Sequence, residues 1–350
     1  YSFLIFKGFF MSESLFLKTC NGFISNEKPV WFMRQAGRYL PEYMEVRNQF
    51  KTFLDFVHDS DAAAKVTVQP IDRFGLDAAI LFSDILVLLP TLGIDVKFLP
   101  GEGPRIETPL QNANAIKNLK DPQIEKELFF TKDAIEKTQL LLNNRAPLLG
   151  FIGGPLTLAS YAIEGKTSKD LHQVKKLFYQ NPEAYHILLE KISTTAGEYL
   201  ALQAKWGCDA LVVMDSWAGH LSKEDYQKMA LPYSTKVIEM AKQTNVPVLH
   251  YANGSAHLLS EFLKLPASGF GLDWRTPLET TLTEKPKTVF QGNIDPAILF
   301  APQETIQKRV REILDLTKNR AHIMNLGHGI LPGTPIEGVK AFVETVREYV

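Results

Sequence analysis

The chain has 350 residues, of which 45% are hydrophobic, with 38 basic against 39 acidic side chains and two cysteines. That length can bury the core of one large α/β domain. The net charge of -1 excludes any global pull toward nucleic acid or membrane, and two cysteines are too few for a disulfide framework, as in a reduced cytoplasmic protein.

Tyr1–Phe10 is apolar but has neither the charged start nor the small-residue cleavage site of a secretory signal, and the first methionine is Met11. Residues 1–12 are expected to be a disordered tail before a single domain over 13–350. The first apolar run, Val30–Met33, leads into Arg34-Gln35-Ala36-Gly37-Arg38. Further runs follow at Ala78–Phe82, Leu148–Ile152, Ala210–Met214, Pro247–His250, Phe270–Asp273, Thr288–Gln291 and Ile323–Leu326. Many are continuously apolar, as strands covered on both faces are. The apolar stretch Leu76–Val96 is broken by Asp77, Asp84, Pro90 and Asp95, so it predicts no membrane span. Leu99–Pro109, rich in Gly and Pro, reads as a long surface loop.

Helix punctuation separates the runs. Asn181-Pro182 opens a segment with apolar residues at Leu188, Leu189, Ile192, Ala196 and Leu200, ending at Gly207. Ser222 with Asp225, and Thr334-Pro335 with Glu337, have capping-box spacing. After Pro335, Ile336, Val339, Phe342, Val343 and Val346 share one helical face. Eight βα units predict a (β/α)8 TIM barrel, with a doubly wound open sheet as the alternative, because pattern does not reveal strand order.

Polar residues follow the runs at one end. Arg34 follows the first, Ser83-Asp84 the second and Gly153-Gly154-Pro155 the third. Asp215-Ser216 follows the fourth, Tyr251-Ala252-Asn253-Gly254 the fifth and Trp274-Arg275 the sixth. Gly292-Asn293-Ile294-Asp295 and Gly327-His328-Gly329 close the series. In a barrel these ends meet at the face where this fold does its chemistry. Arg34 and Arg38 are fixed cations suited to carboxylate or phosphate, with a surface salt-bridge pair as the plainer reading. Asp84 reads either as an N-cap or as a buried carboxylate facing the pocket. His328 either lines a turn or donates to a ligand carboxylate. Tyr161 and Ser216 alone read as core and capping residues, Arg47 as solvated, and Asp295-Pro296 as a helix start.

Several motifs fail. Glu164-Gly165-Lys166-Thr167 has Ser160 where a P-loop needs its first glycine, and Gly101-Glu102-Gly103 lacks a third spaced glycine. No H-E-x-x-H, zinc-spaced cysteine pair or G-x-S-x-G elbow occurs.

Taken together, Arg34-Gln35-Ala36-Gly37-Arg38-Tyr39-Leu40-Pro41, Phe82-Ser83-Asp84-Ile85-Leu86, Gly150 through Pro155 to Tyr161, Gly271-Leu272-Asp273-Trp274, Gln291 through Pro296 and Asn325-Leu326-Gly327-His328-Gly329 resemble the uroporphyrinogen decarboxylase family. The likeness runs from about Glu13 to the C-terminus. It implies a (β/α)8 homodimer that removes CO2 from the four acetates of uroporphyrinogen, without cofactor or metal. By the resemblance, substrate contacts fall on Arg34, Gln35, Ala36, Gly37, Arg38, Asp84, Tyr161, Ser216 and His328. The surroundings of Ser216 depart from the family pattern, but the hydroxyl remains. Asp84 is expected to stabilise a protonated pyrrole. The proton donor is open between Arg34, a water and a substrate carboxyl. Two rivals stand beside this reading. One is a zinc-thiolate methyltransferase of the same superfamily, whose cysteine position holds Ala252 here. The other is a non-catalytic tetrapyrrole-binding module.

Overall fold

The computed structural model describes residues 14–99 and 103–349. The expected tail at 1–12 and the Gly101-Glu102 part of the failed glycine motif lie outside the described residues.

Strand β1 (Ala79–Ile80) is followed by β2 (Val96–Leu99) and β3 (Gly103–Ile106), then by β4 (Leu148–Gly153), β5 (Ala210–Asp215), β6 (Val248–Ala252), β7 (Gly269–Gly271), β8 (Phe290–Ile294) and β9 (His322–Leu326). Seven of these form one parallel sheet in the order β1-β4-β5-β6-β7-β8-β9. The predicted strands therefore lie side by side in sequence order, and the open doubly wound alternative, which needs an order reversal, is not observed.

The first predicted strand, Val30–Met33, is corrected. Val30 makes a single parallel bridge to Met324 of β9. Trp31 N–H donates to Met324 O at 3.3 Å, and Met324 N–H to Pro29 O at 2.8 Å. On its other side, Val30 O accepts from Asp77 N–H at 2.9 Å, while Val30 N–H goes to the Asp77 carboxylate at 2.6 Å. The ladder stops because Phe32 N–H is taken by Gln35 Oε1 at 3.3 Å, which turns the chain outward before a strand develops. The 29–31 segment thus bonds to β9 on one side and, on the other, to Asp77, two residues before β1. Below this seam, the buried Lys28 ammonium donates to the carbonyls of Ser25, Lys318 and Arg320.

The Leu99–Pro109 loop is also corrected. β2 and β3 pair antiparallel, with Val96 opposite Ile106 and Lys97 opposite Arg105. Glycine and proline hide this hairpin in the sequence. Lys97–Glu107 at 2.7 Å links its two sides, and Ile106 N–H to Gly165 O at 2.7 Å ties it to the end of the helix Pro155–Glu164.

Both sheet faces are buried, which explains the unbroken apolar runs. In β5, Leu211 and Val213 join the helix-side core, whereas Ala210 and Val212 join a smaller core with Leu249, Ile323 and Trp31. Phe16 meets Trp31 edge-on at 6.4 Å. On the helix side, Pro182–Trp206 begins with the Asn181 side chain accepting from Ala184 N–H at 3.1 Å, and Gly207 follows at φ +127°. Leu188, Leu189, Ile192, Ala196 and Leu200 are all buried. Burying each large aliphatic side chain contributes about 1.5–3 kcal/mol before entropic costs.

Two predicted capping boxes form only partly or not at all. Ser222 accepts from Asp225 N–H at 3.1 Å, but the Asp225 carboxylate receives Tyr179 OH instead of the cap N–H. Thr334 spends its hydroxyl on Leu331 O, so the helix Ile336–Glu348 starts from Pro335 without a side-chain cap. Its packing face, with Val339, Phe342, Val343 and Val346, is buried as expected.

Candidate active site

At the C-terminal ends of the strands lies a cavity of about 400 Å³. All nine sequence-selected residues border it: Arg34, Gln35, Ala36, Gly37, Arg38, Asp84, Tyr161, Ser216 and His328. They come from five chain segments separated by up to nearly the whole domain.

The arginine loop is built around Gln35. Its side chain accepts from Phe32 N–H and donates to Ala78 O at 3.2 Å, while its own carbonyl accepts from Tyr39 OH at 2.7 Å. Its N–H donates to Phe32 O at 3.3 Å. Gln35 borders the cavity, yet every polar group it carries is engaged within the protein. It therefore holds the turn. That turn places Arg34 at φ +58°, a left-handed conformation costing about 1 kcal/mol for a side chain with a Cβ. The four bonds of Gln35 outweigh this cost. Gly329 lets the last strand's loop pack on the arginine, because a Cβ there would fall 2.6 Å from Arg34 Cδ. The Arg34 and Arg38 guanidiniums are exposed and make no ion pair among the described residues. Their charge remains available to an anion, and the surface salt-bridge pair is not formed among the described residues.

Asp84 resolves its two readings through local geometry. No α-helix follows it directly; the next helical turn is Leu89–Leu92. Its Oδ1 accepts from Leu86 N–H at 2.8 Å, a turn two residues long. The carboxylate is half-buried in the cavity wall. Burial pushes its pKa up to about 6, against the opposing pull of Leu86 N–H and the Arg34 charge. The aromatic and aliphatic lining explains that desolvation: Tyr43, Phe53, Phe82, Ile85 and Leu86 surround this side of the cleft.

Tyr161 lies on the helix Pro155–Glu164 and meets Trp217 edge-on at 5.2 Å. Burial and then the Asp84 charge raise its pKa, so it stays a neutral hydroxyl. Ser216 follows β5, half-buried, and its hydroxyl makes no hydrogen bond among the described residues. His328 is half-buried, with Tyr251 at 6.2 Å and Trp274 at 6.4 Å between ring centroids. Burial and the Arg34 cation push its pKa down to about 4. At neutral pH it is an uncharged imidazole, able to donate or accept a hydrogen bond but not to act as a third cation.

Sequence reasoning missed Tyr251. It is buried in β6, borders the cavity, and its hydroxyl donates to Gly327 O at 2.9 Å, which ties the His328 loop to the sheet. The sequence placed it just past the strand Pro247–His250, whereas it lies within β6, and its bond to Gly327 was not visible. Outside the cavity, Asp295 accepts from Ala297 N–H at 2.9 Å and starts a 3-10 turn, as its sequence suggested. Arg47 is half-buried and donates to Phe50 O at 2.8 Å, where a solvated side chain was expected. Among the described residues no three His, Cys, Asp or Glu side chains gather as metal ligands, and no helix is long and apolar enough to cross a membrane.

Comparison with known proteins places this geometry in a family. The chain resembles a methyltransferase from Methanosarcina mazei in fold, with a TM-score of 0.81 over 97% of this chain and 99% of the other. At 17% identity that likeness speaks for fold alone. Among curated proteins, a uroporphyrinogen decarboxylase from Geotalea daltonii is 43% identical over 95% of this chain and 97% of its own. Another, from Carboxydothermus hydrogenoformans, is 44% identical over 95% of each chain. The profile of the family described as Uroporphyrinogen decarboxylase (URO-D) matches residues 11–349. With its nine selected residues gathered at one cavity and this match over nearly its whole length, the chain belongs to the uroporphyrinogen decarboxylase family.

Proposed function

We propose that this chain converts the four acetate side chains of uroporphyrinogen III to methyl groups, giving coproporphyrinogen III in tetrapyrrole biosynthesis. It does so as a cytoplasmic, cofactor-independent homodimer, folded as a single closed (β/α)8 barrel over residues 13–350. The observation that carries the reaction is the half-buried Asp84 carboxylate in a largely apolar cavity wall, beside the Arg34 charge. The bonds of the 29–31 segment to β9 and to Asp77 support barrel closure.

A pyrrole acetate resists losing CO2 because the electron pair left behind has no sink. Protonating the ring carbon beside the acetate makes one, a pyrrolium cation. An anion fixed in a water-poor site favours that cation more than the neutral ring, which is differential binding of the transition state. Asp84 performs this role when ionised. The flexible macrocycle can dome so that its pyrrole N–H groups converge on the carboxylate, and these charge-assisted bonds offset its desolvation.

Arg34 and Arg38 hold substrate carboxylates through paired N–H donors. The Tyr161 and Ser216 hydroxyls and the neutral His328 ring supply directional hydrogen bonds. Ala36 and Gly37 keep the loop low enough for the macrocycle to approach. Arg34 is a costly general acid, since guanidinium releases its proton only at high pH; a water or a substrate carboxyl is the better donor.

The test is incubation of the purified chain with enzymatically reduced uroporphyrin, followed by chromatography of the products. Stepwise appearance of species lacking one to four acetate carboxyls is expected. Binding without carboxyl loss would instead identify a tetrapyrrole-binding module.

A further inference from the structure

A second cavity, of about 490 Å³, adjoins the first, and Asp84 and Leu86 border both. Its walls are mainly apolar, with Val87, Phe98 and Phe130 among them. Three further ionisable side chains line it: His58, Asp95 and Glu127. All three are exposed, so the far end of this cavity opens to solvent while its inner end reaches Asp84. His58 closes the helix Phe53–His58 and packs against Phe130 with ring centroids 4.3 Å apart and the planes tilted by 50°. The Asp55 charge on its own helix acts on it, and it shares the cavity wall with Asp95, from the segment before β2, and Glu127, from the helix Ile124–Glu127.

The reaction gives this second opening a use. Each acetate consumes one proton: R–CH2–CO2⁻ plus H⁺ gives R–CH3 plus CO2. The proton first adds to the ring carbon. The electron pair of the breaking C–C bond then flows into the pyrrolium and CO2 leaves. The exocyclic methylene next takes a proton from water, and the ring carbon returns its own. A macrocycle seated on the arginines covers the first cavity, so protons must arrive from another side. The second cavity is unsuited to the substrate itself, because Asp95 and Glu127 repel carboxylates and no lysine or arginine lines it among the described residues.

We propose that the second cavity is the route by which water and protons reach the Asp84 wall while substrate fills the first, with His58 as the relay at its solvent end. This rests on the decarboxylation reading above. His58 touches no substrate; it acts through water on the site.

The experiment compares wild-type enzyme, His58→Ala and His58→Phe with saturating uroporphyrinogen, with and without added imidazole. His58→Ala should lower kcat roughly tenfold with KM unchanged, less than the roughly hundredfold or more of a group that passes its proton directly to substrate, and imidazole should restore most of the rate. His58→Phe keeps a ring on Phe130 and should show the same loss without rescue. If His58→Ala does not fold, a folded His58→Phe decides by its kcat. Wild-type kcat in a folded variant, or a loss in His58→Ala that imidazole does not repair, overturns the proposed route. If the wild-type chain itself leaves uroporphyrinogen unchanged, the decarboxylation reading falls, and this inference with it.

Discussion

Asp84 and Asp215 sit at the same end of the sheet, and burial pushes the pKa of each up to about 6. Their surroundings differ. Asp215 ends β5 with no exposed surface; its Oδ1 accepts from Thr157 OH at 2.7 Å, and Gly154 leaves no room for a Cβ over it. Asp84 has one backbone N–H, a cavity in front and the Arg34 charge nearby. A raised pKa therefore does not distinguish the two. Access to the cavity does, and on the function proposed above it gives Asp84 the chemical role and Asp215 an architectural one.

The largest expected effect breaks this pair apart. Asp84→Asn should fold normally, with a melting temperature at neutral pH no lower than that of wild type, yet lose about 10²–10³-fold in kcat, as when a fixed electrostatic group is removed from a transition state. In the wild-type enzyme kcat/KM should rise with pH through about 6 as Asp84 ionises, while His328, at about 4, is already neutral across that range. A pH-independent rate between 5 and 7 (about one unit either side of this value) would contradict Asp84 as the working anion.

Asp215 should show the opposite profile. Its folded-state pKa is raised from 3.8 to about 6, so the folded protein holds this proton more tightly than the unfolded chain. Stability from this group is fully present below about 4 and is lost as pH rises through about 6. Asp215→Asn removes that loss. Urea unfolding should show the variant gaining on wild type by roughly 1–3 kcal/mol between acidic and neutral pH, with kcat changed only a few-fold. A large kcat defect in a stable Asp215→Asn would erase the contrast.

The arginines sharpen the comparison from the cavity side. Arg38→Ala should raise KM by roughly tenfold to a hundredfold, the value of a charge-assisted hydrogen bond, with little change in kcat. Arg34→Ala should raise KM too, but it also removes the cation that opposes Asp84's upward shift. Its acid limb should therefore move to higher pH, which Arg38→Ala should not do.

Much of this was legible in the sequence, for a physical reason. Strands buried on both faces need continuous apolar runs, so β4, β5 and β9 stand out within a residue or two of their ends. The first strand failed because Gln35, three residues on, diverts the Phe32 N–H, a side-chain choice that an apolar run does not reveal. The β2–β3 hairpin failed because its strands carry the glycine and proline that usually mark loops. At the site, the charged residues at strand ends were visible. What Gln35 does with its amide, and what Tyr251 does with its hydroxyl, depended on partners in other segments.

The smallest expected effect tests the boundary between the two carboxylates. Ser216 is joined to Asp215 in the chain, but its hydroxyl faces the cavity and has no protein partner among the described residues. Removing an oxygen that bonds nothing in the free protein leaves no buried group stranded, so Ser216→Ala should not change the denaturant midpoint. With substrate bound, the lost hydrogen bond should cost about 0.5–1.5 kcal/mol, a rise of roughly two- to tenfold in KM. If Ser216→Ala instead lowers stability and leaves KM alone, the β5 tip is architecture throughout, and the ligand-facing side of the cleft ends at Asp84 and the arginines.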